Sequence, residues 1–116
     1  MKNVLEKIVK QKKEDLKIVK ERISLTAIDG KIKSINNFLN FKKTIIDREK
    51  QNQVSLIAEI KKASPSAGVI IKDFDPVKIA ILYSNNNATC LSVLTEEKFF
   101  FGNLDYIFNI KKKIKL

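Results

Sequence analysis

The apolar positions of this chain follow two different rhythms. In residues 3–23, Leu5, Ile8, Val9, Leu16, Val19 and Ile23 recur at helical spacing with Lys and Glu between them, and neither Gly nor Pro interrupts. This spacing predicts an amphipathic helix that ends near Ser24. Residues 24–33 lack a clear period, and Asp29-Gly30 predicts a turn there. A second, short helix is expected over 34–44, with Ser34 as N-cap and Ile35, Phe38, Leu39 and Ile45 on its apolar side. Residues 47–53 are polar and read as a loop.

From residue 54 the rhythm changes. Residues 54–60 form a short apolar run that predicts a strand, followed by a Ser-Pro-Ser loop at 64–66. Asp75-Pro76 marks a helix start, with Asp as N-cap and Pro in the first turn. Ile79, Ala80, Leu82 and Tyr83 supply that helix's apolar side, and Asn85, Asn86 and Asn87 end it. A second strand is expected over 89–94 and a loop over 95–102. A last helix, capped by Asn103, is expected to carry Leu104, Ile107 and Phe108. The order strand, helix, strand, helix argues for a parallel sheet with crossover helices. The apolar strands read as buried on both faces. The fold class is therefore α/β, with a helical extension at 1–53 and two β/α units at 54–116.

The formal net charge of +10 comes from 23 basic and 13 acidic side chains. The basic residues are nearly all Lys, and the chain is also rich in Ile and Asn, a joint bias that A/T-rich codons would produce. A small nucleic-acid-binding protein is the competing reading of that charge. It is disfavoured by the presence of only Arg22 and Arg48, and by basic runs without interleaved aromatics. Lys111, Lys112 and Lys113 read as the solvated end of a helix. Cys90 is the single cysteine, which rules out an intrachain disulfide, and its apolar neighbours make it a buried structural thiol. The chain contains no His, so the commonest general base and metal ligand is missing. No apolar stretch suits a membrane span and the N-terminus does not read as a signal peptide, so the cytoplasm is the expected location.

The candidate chemistry lies at the end of the first strand. Side chains two apart on a strand share a face, so Ile57, Glu59 and Lys61 point one way and Ala58 and Ile60 the other. Two opposite charges thus sit at the carboxyl end of a core strand, where parallel α/β folds bind ligands. Removing such charges from water is costly unless they pair or serve a ligand. Ser64 and Ser66 follow in a loop able to offer hydroxyl and amide groups to an anion. A salt bridge at a strand end and an ordinary turn are the bland alternatives.

The segment from Ile57 through Glu59, Lys61, Ser64, Pro65 and Ser66, then Gly68, Val69, Ile70 and Asp73-Phe74-Asp75-Pro76, resembles the first strand, loop and helix start of indole-3-glycerol-phosphate synthases. The run from Ala88 to Phe100, with Gly102 and Leu104-Asp105-Tyr106, is similar to their second strand and following loop, and the N-terminal helix to their extension. The resemblance implies an incomplete (β/α)8 TIM barrel. It implies ring closure and decarboxylation of 1-(2-carboxyphenylamino)-1-deoxyribulose 5-phosphate to indole-3-glycerol phosphate, in tryptophan biosynthesis, with no metal or organic cofactor. The implied partner is that phosphorylated anthranilate substrate, not nucleic acid or membrane.

Carried over by resemblance, Lys61 contacts the substrate's carboxylate and Glu59 supports that lysine and proton transfer. Ser64 and Pro65 stand at the substrate's mouth, Ser92 faces inward on the second strand, and Phe100 lines the slot for the anthranilate ring. Three positions depart from the family pattern: Ala67 where a lysine is frequent, Asn87 where Gly is common, and Phe101 where a polar residue is usual. The family's third strand bears its general-acid lysine, and the base glutamate and main phosphate loops follow later. None of these is present, so the isolated chain is expected to be inactive and to be unstable or aggregate. A fusion to phosphoribosylanthranilate isomerase, or another phosphate-handling barrel enzyme, are the alternatives within the enzyme class.

Overall fold

Side-chain caps, more than apolar spacing, set the helix boundaries of this chain. Residues 3–116 are described, in a computed structural model. The chain divides into two compact units between Phe38 and Leu39. The first unit contains α1 (Val4–Arg22) and α2 (Leu25–Lys33). The Asn3 side chain caps α1 by accepting from the Leu5 N–H at 3.1 Å. α1 ends where Ile23 turns extended, close to the boundary expected from sequence.

α2 corrects the reading of residues 24–33. Ser24 Oγ accepts from the Ala27 N–H at 3.1 Å, and the helix runs through Asp29 and Gly30, where a turn was expected. One glycine costs a helix only about 1 kcal/mol against Ala, and the cap and flanking Leu25, Ala27, Ile28 and Ile32 outweigh it. Ser34, expected to start a helix, instead ends one, donating its hydroxyl to the Lys31 carbonyl at 2.7 Å.

The second unit begins with α3 (Phe41–Lys50), which replaces the helix expected over 34–44 and the loop expected over 47–53. Asn40 Oδ1 accepts from the Lys43 N–H at 2.9 Å and fixes the start. An ion pair between Lys43 and Asp47, one turn apart, supports its middle.

β1 (Ile57–Ile60) pairs in parallel with β4 (Cys90–Val93), in the register Ile57↔Cys90, Ala58↔Leu91, Glu59↔Ser92 and Ile60↔Val93. Parallel strands need a crossover, and α4 (Pro76–Asn85) supplies it. Asp75 caps α4 as expected, its Oδ1 accepting from the Val77 and Lys78 N–H groups, each at 3.0 Å. Asn87 follows α4 with φ of 64°, the left-handed backbone that Asn tolerates better than most residues. α5 (Asp105–Lys111) packs on the same side of the sheet as α4. The core is Ile60, Ala80 and Ile110, at 1%, 0% and 2% exposure, with Phe74, Tyr83, Leu91 and Tyr106 around it.

Two further expectations need correction. β1 is covered on one face only: Ala58 and Ile60 are buried while Ile57 and Glu59 are exposed. The second face stays open at Ile57 and Glu59, while Cys90, the ladder partner of Ile57, is buried. α5 also turns a different side inward. Leu104, Ile107 and Phe108 stay exposed, and Ile110 enters the core with Tyr106 and Ile114.

The Asp75 cap has a pH signature. The N–H groups of Lys78 and Val77, with the Lys78 ammonium nearby, lower its carboxyl below the usual carboxylate range. The depressed folded value means that Asp75 contributes stability above its unfolded pKa and loses it as pH falls through the folded value. Asp75→Asn keeps an acceptor at the cap but removes the titration. Circular dichroism on acidification is expected to fall less steeply for Asp75→Asn than for wild type. Superimposable acid profiles would show that the charge at this cap adds nothing.

Candidate functional site

The candidate site is built at the carboxyl end of the sheet, on the face that Ile57 and Glu59 leave exposed. Alternation along β1 brings Glu59 to the same face as Ile57, and Lys61 follows two residues on. Lys61 Nζ lies 2.6 Å from Glu59 Oε1. Their side chains retain 33% and 47% exposure respectively. The pair is therefore wet, and a ligand can enter it without first opening a buried contact. Residues paired across a parallel ladder point to the same side, so the Glu59↔Ser92 register sets the Ser92 side chain beside Glu59.

The loops leaving the two strands carry the other expected residues. After Lys61 the chain forms a small antiparallel hairpin, β2 (Ala63–Ser64) with β3 (Gly68–Val69), where a plain loop was expected. Gly68 at φ of 64° makes its turn. Ser64 Oγ accepts from the Ala67 N–H at 3.2 Å and lies 3.4 Å from Ser66 Oγ. Pro65 is exposed at the hairpin tip. Phe100 is half-buried in the loop after β4. The structure thus joins Glu59 and Lys61 directly and aligns Ser92 with them. Ser64 at the end of β2, Pro65 at the hairpin tip and Phe100 in the loop after β4 follow from the same end of the sheet, without a hydrogen bond or ion pair to Glu59 or Lys61 among the described residues.

Sequence reasoning passed over two residues that shape this end of the sheet. The Tyr83 hydroxyl donates to the Glu59 carbonyl at 3.1 Å and ties α4 to the peptide that carries the acidic side chain. Its apolar ring marked it only as a core residue. Glu96, which sequence left unassigned beside Glu97, turns its carboxylate onto the backbone of its own loop. Cys90 sits at the opposite end of β4, buried as expected, and burial pushes its thiol pKa up. Among the described residues no three His, Cys, Asp or Glu side chains converge as metal ligands. No described helix is long and apolar enough to cross a membrane.

Comparison with known proteins gives a consistent answer. Residues 5–116 match the family model for indole-3-glycerol phosphate synthase. Proteins described as indole-3-glycerol phosphate synthase are similar over nearly the whole chain. The one from Clostridium acetobutylicum is 47% identical over 110 residues, covering 94% of this chain and 40% of that protein. Those from Campylobacter jejuni and Aliarcobacter butzleri are 45% and 42% identical over 111 residues, covering 94% and 96% of this chain and 42% of each relative. The chain spans about two fifths of the length of the curated relatives it matches.

Proposed function

The chain belongs to the indole-3-glycerol phosphate synthase family, and we propose that it supplies the first part of a synthase active site on an (β/α)8 barrel. The reaction is ring closure of 1-(2-carboxyphenylamino)-1-deoxyribulose 5-phosphate, with loss of carbon dioxide and water, to give indole-3-glycerol phosphate for tryptophan synthesis. It proceeds in the cytoplasm and uses no metal or organic cofactor. Residues 1–53 are the helical extension, and residues 54–116 are the first two β/α units.

The observation that carries this reading is the Glu59–Lys61 pair at the carboxyl end of β1, on the strand face that Ile57 and Glu59 leave exposed. A barrel turns that face inward and gathers its ligands at that end. The free edge of β4 supports the same reading. A cavity of about 220 Å³ is lined by Leu91 and Val93 of β4 with Ile107, Ile110, Lys111 and Leu116, a mostly apolar surface suited to cover by further β/α units.

Each group has a part that its chemistry suits. The Lys61 ammonium meets the substrate's carboxylate, and Glu59 holds the ammonium in position and takes part in proton transfer. A positive charge beside the carboxylate fixes the anthranilate end for attack. Ser64 and Pro65 line the entrance, Ser92 offers a hydroxyl from β4, and Phe100 packs against the aromatic ring. The general acid, the base and the main phosphate contacts belong to parts of the fold beyond these two units.

The test is growth of a tryptophan auxotroph blocked at ring closure. Residues 1–116 joined to the remaining length of the Clostridium acetobutylicum relative are expected to restore growth, and residues 1–116 alone are not. Growth with the 116-residue chain alone, or soluble fusion protein that turns over no substrate, would refute the division of labour proposed here.

A further inference from the structure

The loop after β4 is held by one side chain. Glu96 Oε1 accepts from the Lys98 N–H at 3.0 Å. Its Oε2 accepts from the Phe99 and Phe100 N–H groups at 2.7 and 3.2 Å. Its backbone carbonyl accepts from the Gly102 N–H at 2.7 Å. A single residue therefore takes four of the loop's amides. Three of them go to an ionised group, the stronger kind of hydrogen bond. Between the last two, Phe101 adopts φ of 53°, a left-handed conformation unusual for a bulky residue. Backbone of this kind persists only where its surroundings determine it. The Glu96 bonds on either side of Phe101 supply that determination.

We propose that Glu96 is a positioning residue that sets the Phe100 ring, so that the ring slot of the site is fixed by a carboxylate that never meets the substrate. The proposal rests on the synthase reading for what Phe100 does, but not for what Glu96 does. Its physical basis is that the carboxylate binds the amide of Phe100 itself and of the residue before it. Loss of those bonds frees the φ and ψ angles that aim the ring. Side chains on loops reach catalytic precision only when their support is locked in this way.

Two measurements test it. The first is amide hydrogen exchange in the fusion with the Clostridium acetobutylicum relative, read at residues 98–100 by mass spectrometry or NMR. Glu96→Gln keeps the shape but replaces one acceptor oxygen with an NH₂ group that opposes the loop amides. Exchange at 98–100 is expected to accelerate by about tenfold or more, as for loss of a hydrogen bond to a charged group. Glu96→Asp, which keeps the charge, is expected to restore part of the protection. Exchange within about twofold of wild type in Glu96→Gln would overturn the proposal, because a charge-assisted bond is worth more than that.

The second is a double-mutant cycle in the fusion with the Clostridium acetobutylicum relative. Glu96→Gln and Phe100→Ala are each expected to raise KM for the carboxyphenylamino substrate by about tenfold, with a smaller change in kcat. Together they are expected to do no more than Phe100→Ala alone, since Glu96 acts through Phe100. Additive effects would overturn the link between the two residues. A fusion that folds but is inactive with both residues intact would count against the synthase reading instead, and the exchange result would then decide the role of Glu96.

Discussion

Lys61→Ala is expected to lower kcat/KM of the synthase fusion by about a hundredfold to a thousandfold, the range seen when one preorganised group facing substrate charge is removed. The same substitution is expected to leave the melting temperature almost unchanged. The 2.6 Å pair with Glu59 is half-exposed, and ion pairs in that setting contribute about 0–1 kcal/mol. The contrast between the two readouts is what gives the experiment its force. A lysine kept for structure would show the reverse pattern, a loss of stability with turnover falling only as folded protein is lost. Lys61→Arg keeps the charge but exchanges a compact ammonium for a planar fork, and is expected to recover only part of the activity. Turnover unchanged in Lys61→Ala would remove the residue from the site. A parallel loss of stability and activity would make the pair an ordinary strand-end salt bridge.

That pair was legible in the sequence because a strand has a strict period of two. Once residues 57–60 are a strand, the period of two continued to Lys61 brings it to the face of Glu59, and the two are in contact. Asp75 was legible for a similar reason: an Asp before Pro at a helix start has a local mechanism that needs no tertiary context. Boundaries in the first fifty residues were not legible, because Ser24, Ser34 and Asn40 are all acceptable N-caps. Only Ser24 and Asn40 are used as such. The inward side of α5 was not legible either. Leu104, Ile107 and Phe108 form one apolar stripe, while Tyr106, Ile110 and Ile114, four apart, form another. Periodicity cannot rank two stripes on one helix, and packing against Ile60 and Ala80 decides between them. Glu96 escaped notice because a loop carboxylate next to a second one looks like surface charge. Its role exists only once the backbone curls back onto it.

The same curl leaves no room for a side chain at Gly102. A Cβ there would overlap the Leu94 carbonyl oxygen and stand 2.7 Å from Leu94 C and 2.8 Å from Thr95 C. All three are backbone atoms at the end of β4, so no side-chain rotation relieves the clash. Leu94 is itself anchored, its N–H donating to the Ile60 carbonyl at 3.2 Å. Gly102→Ala must therefore push the loop off the strand, at a cost of about 3 kcal/mol, the upper part of the range for overpacking. In the synthase fusion, a barrel of roughly 250 residues, such a loss lowers the melting temperature by roughly 6–12 °C. Gly30→Ala provides the matched comparison, since its Cβ would meet nothing within 4 Å and the residue lies inside α2. That substitution is expected to raise stability by up to about 1 kcal/mol through helix propensity alone. Thermal and urea denaturation of the two variants beside wild type should thus move in opposite directions. If Gly102→Ala is as stable as wild type, the loop does not close on Leu94, and the close backbone approach that seats Glu96 and Phe100 fails with it.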